Sequence, residues 1–268
     1  MSRPAGPATL QLVGGPTALI AYGGLRILTD PTFDPPGERR SSGTPVVLTK
    51  LTGPAVDADA IQPLDAVLVS HDHHADNLDT AGRELLSHAG RVLTTSAGAE
   101  RLGGGATGLE PGDEVDLNRP EGGTVTVTAV AAEHGPPEVA AVNGPVIGFV
   151  LRGDGLPTVY VSGDNASVEV VRTIAAAHGP FDAAVLFTGN AQVPARWGPD
   201  VPLTLTPAAA VEAARILDPA VVIAVHQEGW AHFTSGPQDL EQAFAAAGLS
   251  DRLRSVSPGG VLELVPRS

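Results

Sequence analysis

Two histidines that follow a buried apolar segment carry the clearest chemistry in the chain. His71 and His73 stand two residues apart in the stretch SHDHHADNLD, directly after the apolar run DAVLV. In extended backbone, residues two apart point to the same side, so both imidazoles would face one point. A single histidine at such a place is usually structural, whereas a pair on one side predicts a bound metal ion.

Three further residues of metal-ligand type each end a strand-like segment. His134 ends TVTVTAVAAEH, Asp164 ends PTVYVSGD, and His226 ends AVVIAVH. Ordinary capping of a strand explains each one equally well, but four such strand ends in one chain favour a shared site. Imidazole and carboxylate are the donors that zinc or manganese takes where thiolate is absent. The sequence therefore predicts one or two divalent metal ions, zinc or manganese, with iron as a further candidate.

The elements that must position these residues are strands in two groups, with helices between and after them. The front of the chain contains short β-rich runs divided by GGP and GG, and residues 65–69 form a buried strand. A helix is predicted over residues 77–88, with Asn77 or Asp76 as its N-cap. Further helices are predicted over 167–178, 207–217 and 240–247, with buried strands over 182–187 and 220–226. This order predicts an α/β fold in which two sheets pack face to face with helices outside.

Composition limits the classes of function. The chain of 268 residues has 43% apolar residues, no cysteine and a net charge of −14. We expect one domain over residues 1–268, because such a chain can bury one large core. The absence of cysteine excludes disulfides, thiolate metal sites and a cysteine nucleophile. The negative charge disfavours nucleic acid as a partner. The chain has no long apolar run and no signal pattern, so we expect a cytoplasmic protein without membrane contact.

Taken together, these stretches resemble the metallo-β-lactamase-fold hydrolases, and among them the metal-dependent hydrolases and lactonases related to ascorbate-6-phosphate lactonase. The resemblance rests on LRILTDP, SHDHHADNLD, AEHGP, VSGDN, TGNAQVP and AVHQEGWAHF, which occur in this order along nearly the whole chain. It implies a four-layer αββα sandwich with a two-metal site at one edge. It also implies the ligands: His71, His73 and His134 hold the first ion, Asp164 bridges to the second, and His226 completes the second.

The sequence departs from this family where the second ion is bound. In the family pattern H-x-H-x-D-H the last two residues bind the second ion, and here those places hold Ala75 and Asp76. Alanine cannot bind a metal ion. Either Asp76 reaches the second ion, giving an oxygen-rich set with Asp164 and His226 that favours manganese, iron or magnesium over zinc, or it caps the next helix and the second ion is weak or lost.

Other residues are assigned roles around the ions. Asp164 would orient the attacking water and accept its proton, and His232 would bind a substrate oxygen or protonate the leaving group. Trp230 would line the pocket, and Thr188 and Asn190 would donate hydrogen bonds to the substrate. The irregular stretches 32–45 and 189–203 are candidates for the mouth of the site.

Two more residues are expected to act without binding metal. In extended backbone His74 faces away from its two neighbours, so it is expected to support the site or to face solvent. Asp30, in LTDP, resembles a family aspartate that lies beneath the ions and orients the ligand histidines. A simple turn before Pro31 explains Asp30 equally well.

These observations predict a hydrolase in which a metal-activated water attacks a lactone, another ester or a phosphodiester. A serine nucleophile is disfavoured, because the chain has no G-x-S-x-G motif. Two alternatives stay open: an oxidoreductase or lyase on the same fold, and a non-catalytic metal-binding protein with a degraded second site. The expected partner is a small-molecule substrate, and the resemblance also allows a homo-oligomer.

Overall fold

The computed structural model describes residues 6–41 and 46–267, and these contain sixteen strands and seven α-helices. The strands are β1 (Thr9–Gly14), β2 (Thr17–Tyr22), β3 (Leu25–Thr29), β4 (Gly37–Arg40), β5 (Val47–Lys50), β6 (Ala66–Leu68), β7 (Val92–Thr95), β8 (Thr107–Leu109), β9 (Glu114–Asn118), β10 (Thr124–Ala132), β11 (Val146–Gly153), β12 (Val159–Val161), β13 (Ala183–Phe187), β14 (Val221–Val225), β15 (Leu253–Arg254) and β16 (Val261–Glu263). The helices are α1 (Thr80–Leu86), α2 (Ser96–Leu102), α3 (Pro137–Asn143), α4 (Val168–His178), α5 (Pro194–Trp197), α6 (Pro207–Leu217) and α7 (Pro237–Ala246).

Fourteen of these strands form two sheets of seven. The first sheet has the order β16-β1-β2-β3-β6-β7-β8, and the second has the order β15-β14-β13-β12-β11-β10-β9. In each sheet, four neighbouring strands are antiparallel, and the remaining three extend the sheet in parallel. In the parallel part of each sheet the strands end at the same edge, which places the residues that follow them together.

The buried strands carry apolar residues on both faces because each sheet is covered on both sides. In β6, Ala66 and Leu68 belong to the core between the sheets, whereas Val67 packs into a separate outer core with Ile61 and Leu85. Successive side chains of a strand point to opposite faces, so a strand between two apolar layers becomes a continuous apolar run. On the outer side of the second sheet, α4, α6 and α7 cover the apolar side chains of β13 and β14. The predicted αββα sandwich is confirmed.

Most of the predicted elements are present, with shifted ends. Helix α6 spans the predicted residues 207–217, and α4 lacks only the first predicted residue. Helix α1 begins three residues later than predicted, and its N-cap is Asp79, whose side chain accepts a hydrogen bond from the backbone N–H of Gly82. The prediction of Asn77 or Asp76 as the cap is therefore wrong. Residues 42–45 of the predicted loop 32–45 lie outside the described residues, and β4 occupies four other residues of that loop.

Within the described part of the chain, every helix is too short or too polar to cross a bilayer.

Candidate metal centre

The residues of metal-ligand type lie at one edge of the sandwich and come from both sheets. Residues 70–79 follow β6 of the first sheet, whereas His134, Asp164 and His226 follow β10, β12 and β14 of the second. All three of these side chains are buried. Three groups of such residues each place their donor atoms within 4.8 Å of one another: His71 with His73 and His74; His71 with His134 and Asp164; and Asp76 with Asp164 and His226.

The histidine loop is folded back rather than extended, and this changes which imidazoles face each other. The backbone N–H of Leu78 donates to the carbonyl of His74 at 3.0 Å, so the chain turns directly after His74. As a result, Nδ1 of His74 lies 2.9 Å from Nε2 of His71. The prediction that His74 faces away from His71 is wrong, because it assumed that the strand continues past Leu68. His73 is also nearby, but its Nε2 donates to the backbone carbonyl of Asn143 at 2.6 Å.

Four donor atoms lie near one another, and we call them the first cluster: His71 Nε2, His74 Nδ1, His134 Nε2 and Asp164 Oδ2. His74 Nδ1 lies 2.9 Å from His71 Nε2 and 3.2 Å from His134 Nε2. Asp164 Oδ2 lies 4.0 Å from His71 Nε2 and 3.6 Å from His134 Nε2. Donors of one tetrahedral zinc ion, at bond lengths of roughly 2.0–2.1 Å, are roughly 3.3 Å apart. The first cluster therefore fits a divalent metal ion.

A second cluster consists of Asp76, Asp164 and His226. His226 Nε2 lies 3.3 Å from Asp76 Oδ2, and His226 Nδ1 lies 3.8 Å from Asp164 Oδ1. Both ring nitrogens of His226 and Asp164 Oδ2 are buried without a hydrogen-bond partner among the described residues. Buried polar atoms without partners are costly, so their presence here is consistent with a ligand bound beside them. This set also fits a divalent ion, and Asp164 belongs to both clusters.

The protonation states suit metal binding. Burial lowers the pKa of His71 and His74 well below the ordinary imidazole value, and the neighbouring imidazoles lower it further. Both rings are therefore neutral at neutral pH, which is the form that can bind a metal ion. Burial also lowers the pKa of His226, but the carboxylates of Asp164 and Asp76 more than offset this and raise it overall. The carboxylates thus favour a positive charge at this point, which either a proton or a metal ion supplies.

Hydrogen bonds outside the clusters fix the orientation of several donors. His134 Nδ1 donates to the carbonyl of Leu203 at 2.7 Å, which leaves the lone pair of Nε2 for the first cluster. Asp164 Oδ1 accepts a hydrogen bond of 3.1 Å from the side-chain amide of Asn77, a residue without solvent exposure. His71 Nδ1 lies 3.0 Å from the hydroxyl of Ser70. The spacing of the motif gave no indication of these contacts.

Asp30 lies beneath the histidine loop, at the end of β3. Its Oδ1 accepts a hydrogen bond of 2.6 Å from the backbone N–H of Ser70, and burial raises the pKa of its carboxyl group well above the ordinary value. Asp30 and His226 both have positive φ angles, 33° and 54°. Such backbone is sparsely populated by residues other than glycine and is frequent at functional sites. Asp30 therefore holds the start of the histidine loop. Its effect on His71 is indirect, because its hydrogen bond is to the preceding residue, Ser70.

Asp79 is a buried anchor for the far end of the loop, and sequence reasoning missed it. Its carboxylate accepts hydrogen bonds from the backbone N–H groups of Phe33, Asp34 and Gly82, and from Lys50 Nζ at 2.9 Å. Lys50 and Asp79 are both buried. This anchor joins the chain after β3 to the start of α1, so it fixes the segment that carries the candidate ligands.

A pocket opens directly onto the two clusters. It contains about 370 Å³ of space not filled by protein atoms, part of it open to solvent. The groups at its base are His74, Asp76, His134 and His232. The remaining lining residues are Ser41, Val46, Leu48, Asn143, Ala191, Val193, Arg196, Trp197 and Leu203. The loop 189–203 thus contributes to the mouth, as expected from its length, although its pocket residues were not identified from the sequence.

His232 lines the pocket, whereas the three residues predicted to bind substrate do not. His232 Nε2 donates to Asp76 Oδ2 at 2.9 Å. Burial raises the pKa of Asp76, but His232 and His226 more than offset this and hold it well below the ordinary value. Trp230 is buried with Lys50 5.5 Å from its ring centroid.

Thr188 and Asn190 also lie away from this pocket. The Thr188 hydroxyl is buried and donates to the Gln227 side chain at 3.3 Å. The backbone carbonyl of Asn190 accepts a hydrogen bond of 2.7 Å from the hydroxyl of Thr234, and its side-chain oxygen accepts one of 3.4 Å from Gln192. In the described structure, Thr188 and Asn190 therefore bond to other protein groups. These bonds hold the loop after β13 in place.

Comparison with known proteins supports the fold and the general class of function. The family model of the beta-lactamase superfamily domain matches residues 25–227. A metal-dependent hydrolase of Pyrococcus furiosus is 24% identical over 250 residues, which cover 93% of this chain and 97% of the relative. A metal-dependent hydrolase of Opitutus terrae is 31% identical over 228 residues, which cover 78% of this chain and 86% of the relative.

Solved structures also resemble this chain. An isothiocyanate hydrolase from gut bacteria of Delia radicum superposes with a TM-score of 0.80 at 19% identity, covering 97% of this chain and all of the other. At this identity, the likeness concerns the fold alone.

Proposed function

This chain belongs to the β-lactamase superfamily, and we propose that it is a metal-dependent hydrolase that cleaves a small lactone or another carboxylic ester. Two relatives, 24% and 31% identical, carry the name metal-dependent hydrolase, which supports the general class. The observation that carries the proposal is the close approach of three imidazole nitrogens to one another beside a pocket, two of them within 4.0 Å of one buried carboxylate oxygen.

The proposed ligands differ from those implied by the family pattern by one position. His71, His74 and His134 would hold the first ion together with Asp164, because their donor atoms form the first cluster. Asp164 would also hold the second ion, together with Asp76 and His226. The family pattern places one residue between its first two histidines, whereas two residues separate His71 from His74. With this one-residue insertion, Asp76 stands at the position of the motif aspartate and Asn77 at that of its last histidine.

Metal ions held by these residues would supply a water of lowered pKa as the nucleophile and would polarise the scissile carbonyl group. Asp164 is buried and belongs to both clusters, and its carboxylate would orient that nucleophile and accept its proton. The amide of Asn77 holds the other oxygen of Asp164 in place at 3.1 Å. The two carboxylates and single imidazole of the second cluster favour an ion that accepts oxygen ligands, so we propose manganese or iron rather than zinc at that position.

His232 is the proposed general acid for the leaving group. It lines the pocket, and its Nε2 is held by Asp76 at 2.9 Å, which fixes the orientation of the ring. Its Nδ1 is buried and has no hydrogen-bond partner among the described residues, so it is the atom that would exchange a proton with the substrate.

The pocket favours a carboxylic ester over a phosphodiester. Its walls are mainly apolar side chains, and Arg196 is the one lysine or arginine among the described residues that line it. Sites for phosphoryl transfer usually place several cationic groups on the charged phosphate oxygens. A neutral scissile group, as in a lactone or ester, fits this lining with less uncompensated charge.

The test combines metal analysis with an activity panel. The purified protein, reconstituted with zinc, manganese or iron, is expected to bind two equivalents and to hydrolyse members of a panel of lactones, aryl esters and phosphodiesters. His134→Ala should lose activity, whereas His88→Ala, a change at an exposed histidine outside the site, should retain it. If the wild-type protein binds both ions and is as inert as His134→Ala on every ester and lactone, the proposed function is wrong. If the protein cleaves phosphodiesters but no lactone or ester, it is a hydrolase whose substrate class is phosphodiesters.

A further inference from the structure

The ring of His226 lacks the kind of hydrogen bond that orients other histidines of the metal centre. His71 Nδ1 lies 3.0 Å from the hydroxyl of Ser70, and His134 Nδ1 donates to the carbonyl of Leu203 at 2.7 Å. Neither ring nitrogen of His226 has a hydrogen-bond partner among the described residues, although the residue is fully buried. A metal-binding imidazole usually donates its second N–H to a carboxylate, a carbonyl or a water. A different contact therefore orients this ring.

Two phenyl rings supply that contact. The ring of Phe187, the last residue of β13, is stacked on the ring of His226, with centroids 5.0 Å apart and planes inclined by 26°. The ring of Phe233 is tilted against the same imidazole at 54°, with centroids 4.4 Å apart. Aromatic rings at such separations attract each other in preferred geometries. The two rings together therefore restrict rotation of the His226 side chain.

Phe233 also packs against the ring of His232, the proposed general acid. Their ring centroids are 4.6 Å apart, and the ring planes are inclined by 55°. His232 Nε2 donates to Asp76 Oδ2, and the same oxygen lies 3.3 Å from His226 Nε2. One phenyl ring therefore contacts both imidazoles that face the carboxylate of Asp76. Phe233 is not among the described residues that line the pocket, so its ring acts through these two histidines rather than on a substrate.

Gly189 allows Phe233 to come this close to His226. The backbone N–H of Thr234 donates to the carbonyl of Gly189 at 3.0 Å, and Phe233 forms an antiparallel bridge with Ala191. A Cβ atom on residue 189 would lie 3.0 Å from Cγ of Phe233 and 2.2 Å from the carbonyl oxygen of His226. Glycine, which has no Cβ atom, permits such a close approach of two segments. Backbone contacts thus fix the place from which the phenyl ring meets both histidines.

We infer that Phe233 is a positioning residue for the second ion, because its ring holds the imidazole of His226 in the orientation that faces Asp76 and Asp164. This inference rests on the proposed function, since it takes His226 as a ligand of that ion. An aliphatic side chain at position 233 would fill part of the same space but would not fix the plane of the imidazole. Changes to the outer contacts of metal ligands typically weaken metal binding by about 10–100-fold.

The test measures the affinity of each ion separately and needs no substrate. Competition with a chromophoric chelator gives the dissociation constant of the first ion, zinc. Manganese is then titrated into protein that holds one equivalent of zinc, and the electron paramagnetic resonance signal of free manganese gives the dissociation constant of the second ion. Asp76→Asn should abolish this manganese binding, which identifies the site.

We expect Phe233→Leu to raise the dissociation constant of manganese about tenfold and to leave that of zinc nearly unchanged. Phe233→Tyr, which keeps a planar ring, should bind both ions as wild type does. Phe244→Leu is the matched control, because Phe244 is a buried phenylalanine of α7 in the outer core of the second sheet. It should lower the free energy of unfolding in urea and leave both dissociation constants unchanged. Phe233→Met gives the same comparison if Phe233→Leu does not fold.

Three results would overturn the inference. The first is zinc-loaded wild-type protein that binds no manganese, a result that needs no variant to fold. The second is folded Phe233→Leu protein that binds manganese as tightly as wild type. The third is equal weakening of both ions in Phe233→Leu, since the change would then loosen the whole edge rather than the ring of His226. The proposed hydrolase function fails separately: if Phe233→Leu weakens the second ion alone but the wild type cleaves no ester, the role of Phe233 is supported and the function is contradicted.

Discussion

Replacing His74 or His73 by alanine distinguishes the two possible sets of ligands. The two residues are neighbours of the same type, so each variant is the matched control for the other. His74 Nδ1 lies 2.9 and 3.2 Å from the ring nitrogens of His71 and His134, whereas His73 Nε2 is hydrogen-bonded to the backbone carbonyl of Asn143. We expect His74→Ala to weaken binding of the first ion and His73→Ala to leave it nearly unchanged.

The size of the effect follows from the composition of the first cluster, which has four donors. Four-donor zinc sites in zinc-finger peptides bind with roughly 10–16 kcal/mol, and on that scale one donor of four contributes about 3 kcal/mol. A loss of about 3 kcal/mol corresponds to a roughly hundredfold higher dissociation constant. In the proposed assignment, His73→Ala removes one hydrogen bond to a backbone carbonyl, which costs about 1 kcal/mol of folding stability, and it leaves the proposed ligands in place.

The assay is competition for zinc against a chromophoric chelator of known affinity, with urea unfolding of each variant as a control for folding. Binding of the first ion should be weakened about hundredfold in folded His74→Ala protein. If His73→Ala loses the ion and His74→Ala retains it, the ligand assignment from the folded-back loop is wrong, and the extended pattern is correct. Equal losses in both variants would show that the loop rearranges when metal binds.

Three further changes test other parts of the structure. Asp76→Asn should reduce bound metal from two equivalents to about one, measured by elemental analysis, and an unchanged count would exclude Asp76 as a ligand. Lys50→Met leaves the buried carboxylate of Asp79 without its ion partner and should lower the free energy of unfolding in urea by about 3–5 kcal/mol; a loss below about 1 kcal/mol would contradict the anchor role. Gly82→Ala should prevent folding or destabilise it severely in thermal unfolding, because a Cβ atom there would lie 1.9 Å from the carbonyl oxygen of Pro31; near-normal stability would show that α1 can shift.

The layered fold follows from the sequence because burial on both faces leaves a clear pattern. The strand β13 contributes Val185 and Phe187 to the core between the sheets and Leu186 to the outer core, so it is an uninterrupted apolar run. The donors His134 and His226 also follow from sequence: His226 comes directly after an apolar run, and His134 ends the alternating segment TVTVTAVAAEH. They lie at the same edge because β10 and β14 run in the same direction in the second sheet.

The histidine loop shows where sequence patterns stop being informative. Spacing predicts which side a residue faces only while the backbone conformation continues, and the strand β6 ends at Leu68. The turn after His74 depends on a backbone hydrogen bond, and Asp79 becomes the helix cap because Phe33 and Asp34 supply further backbone donors. The motif also offers Asp76 as a cap residue of the same type, so tertiary contacts decide between them.

The pocket wall is a further case of non-local packing. Trp197 lies in an irregular stretch without a periodic pattern, and it lines the same pocket as Leu48, from a strand about 150 residues earlier in the chain. Residue type and spacing do not encode this arrangement, so the pocket residues of the loop 189–203 could be identified only from the structure.

The division of the ligands between the two sheets couples metal binding to folding. The first sheet supplies His71, His74 and Asp76, and the second supplies the remaining donors, so neither sheet alone has a complete set. Ions that bind only the assembled sandwich stabilise it by about 2.7 kcal/mol each at a free concentration one hundred times the dissociation constant. The ions would therefore act as cross-links between the halves of the chain, and their removal would favour separation of the sheets at the edge that contains the site.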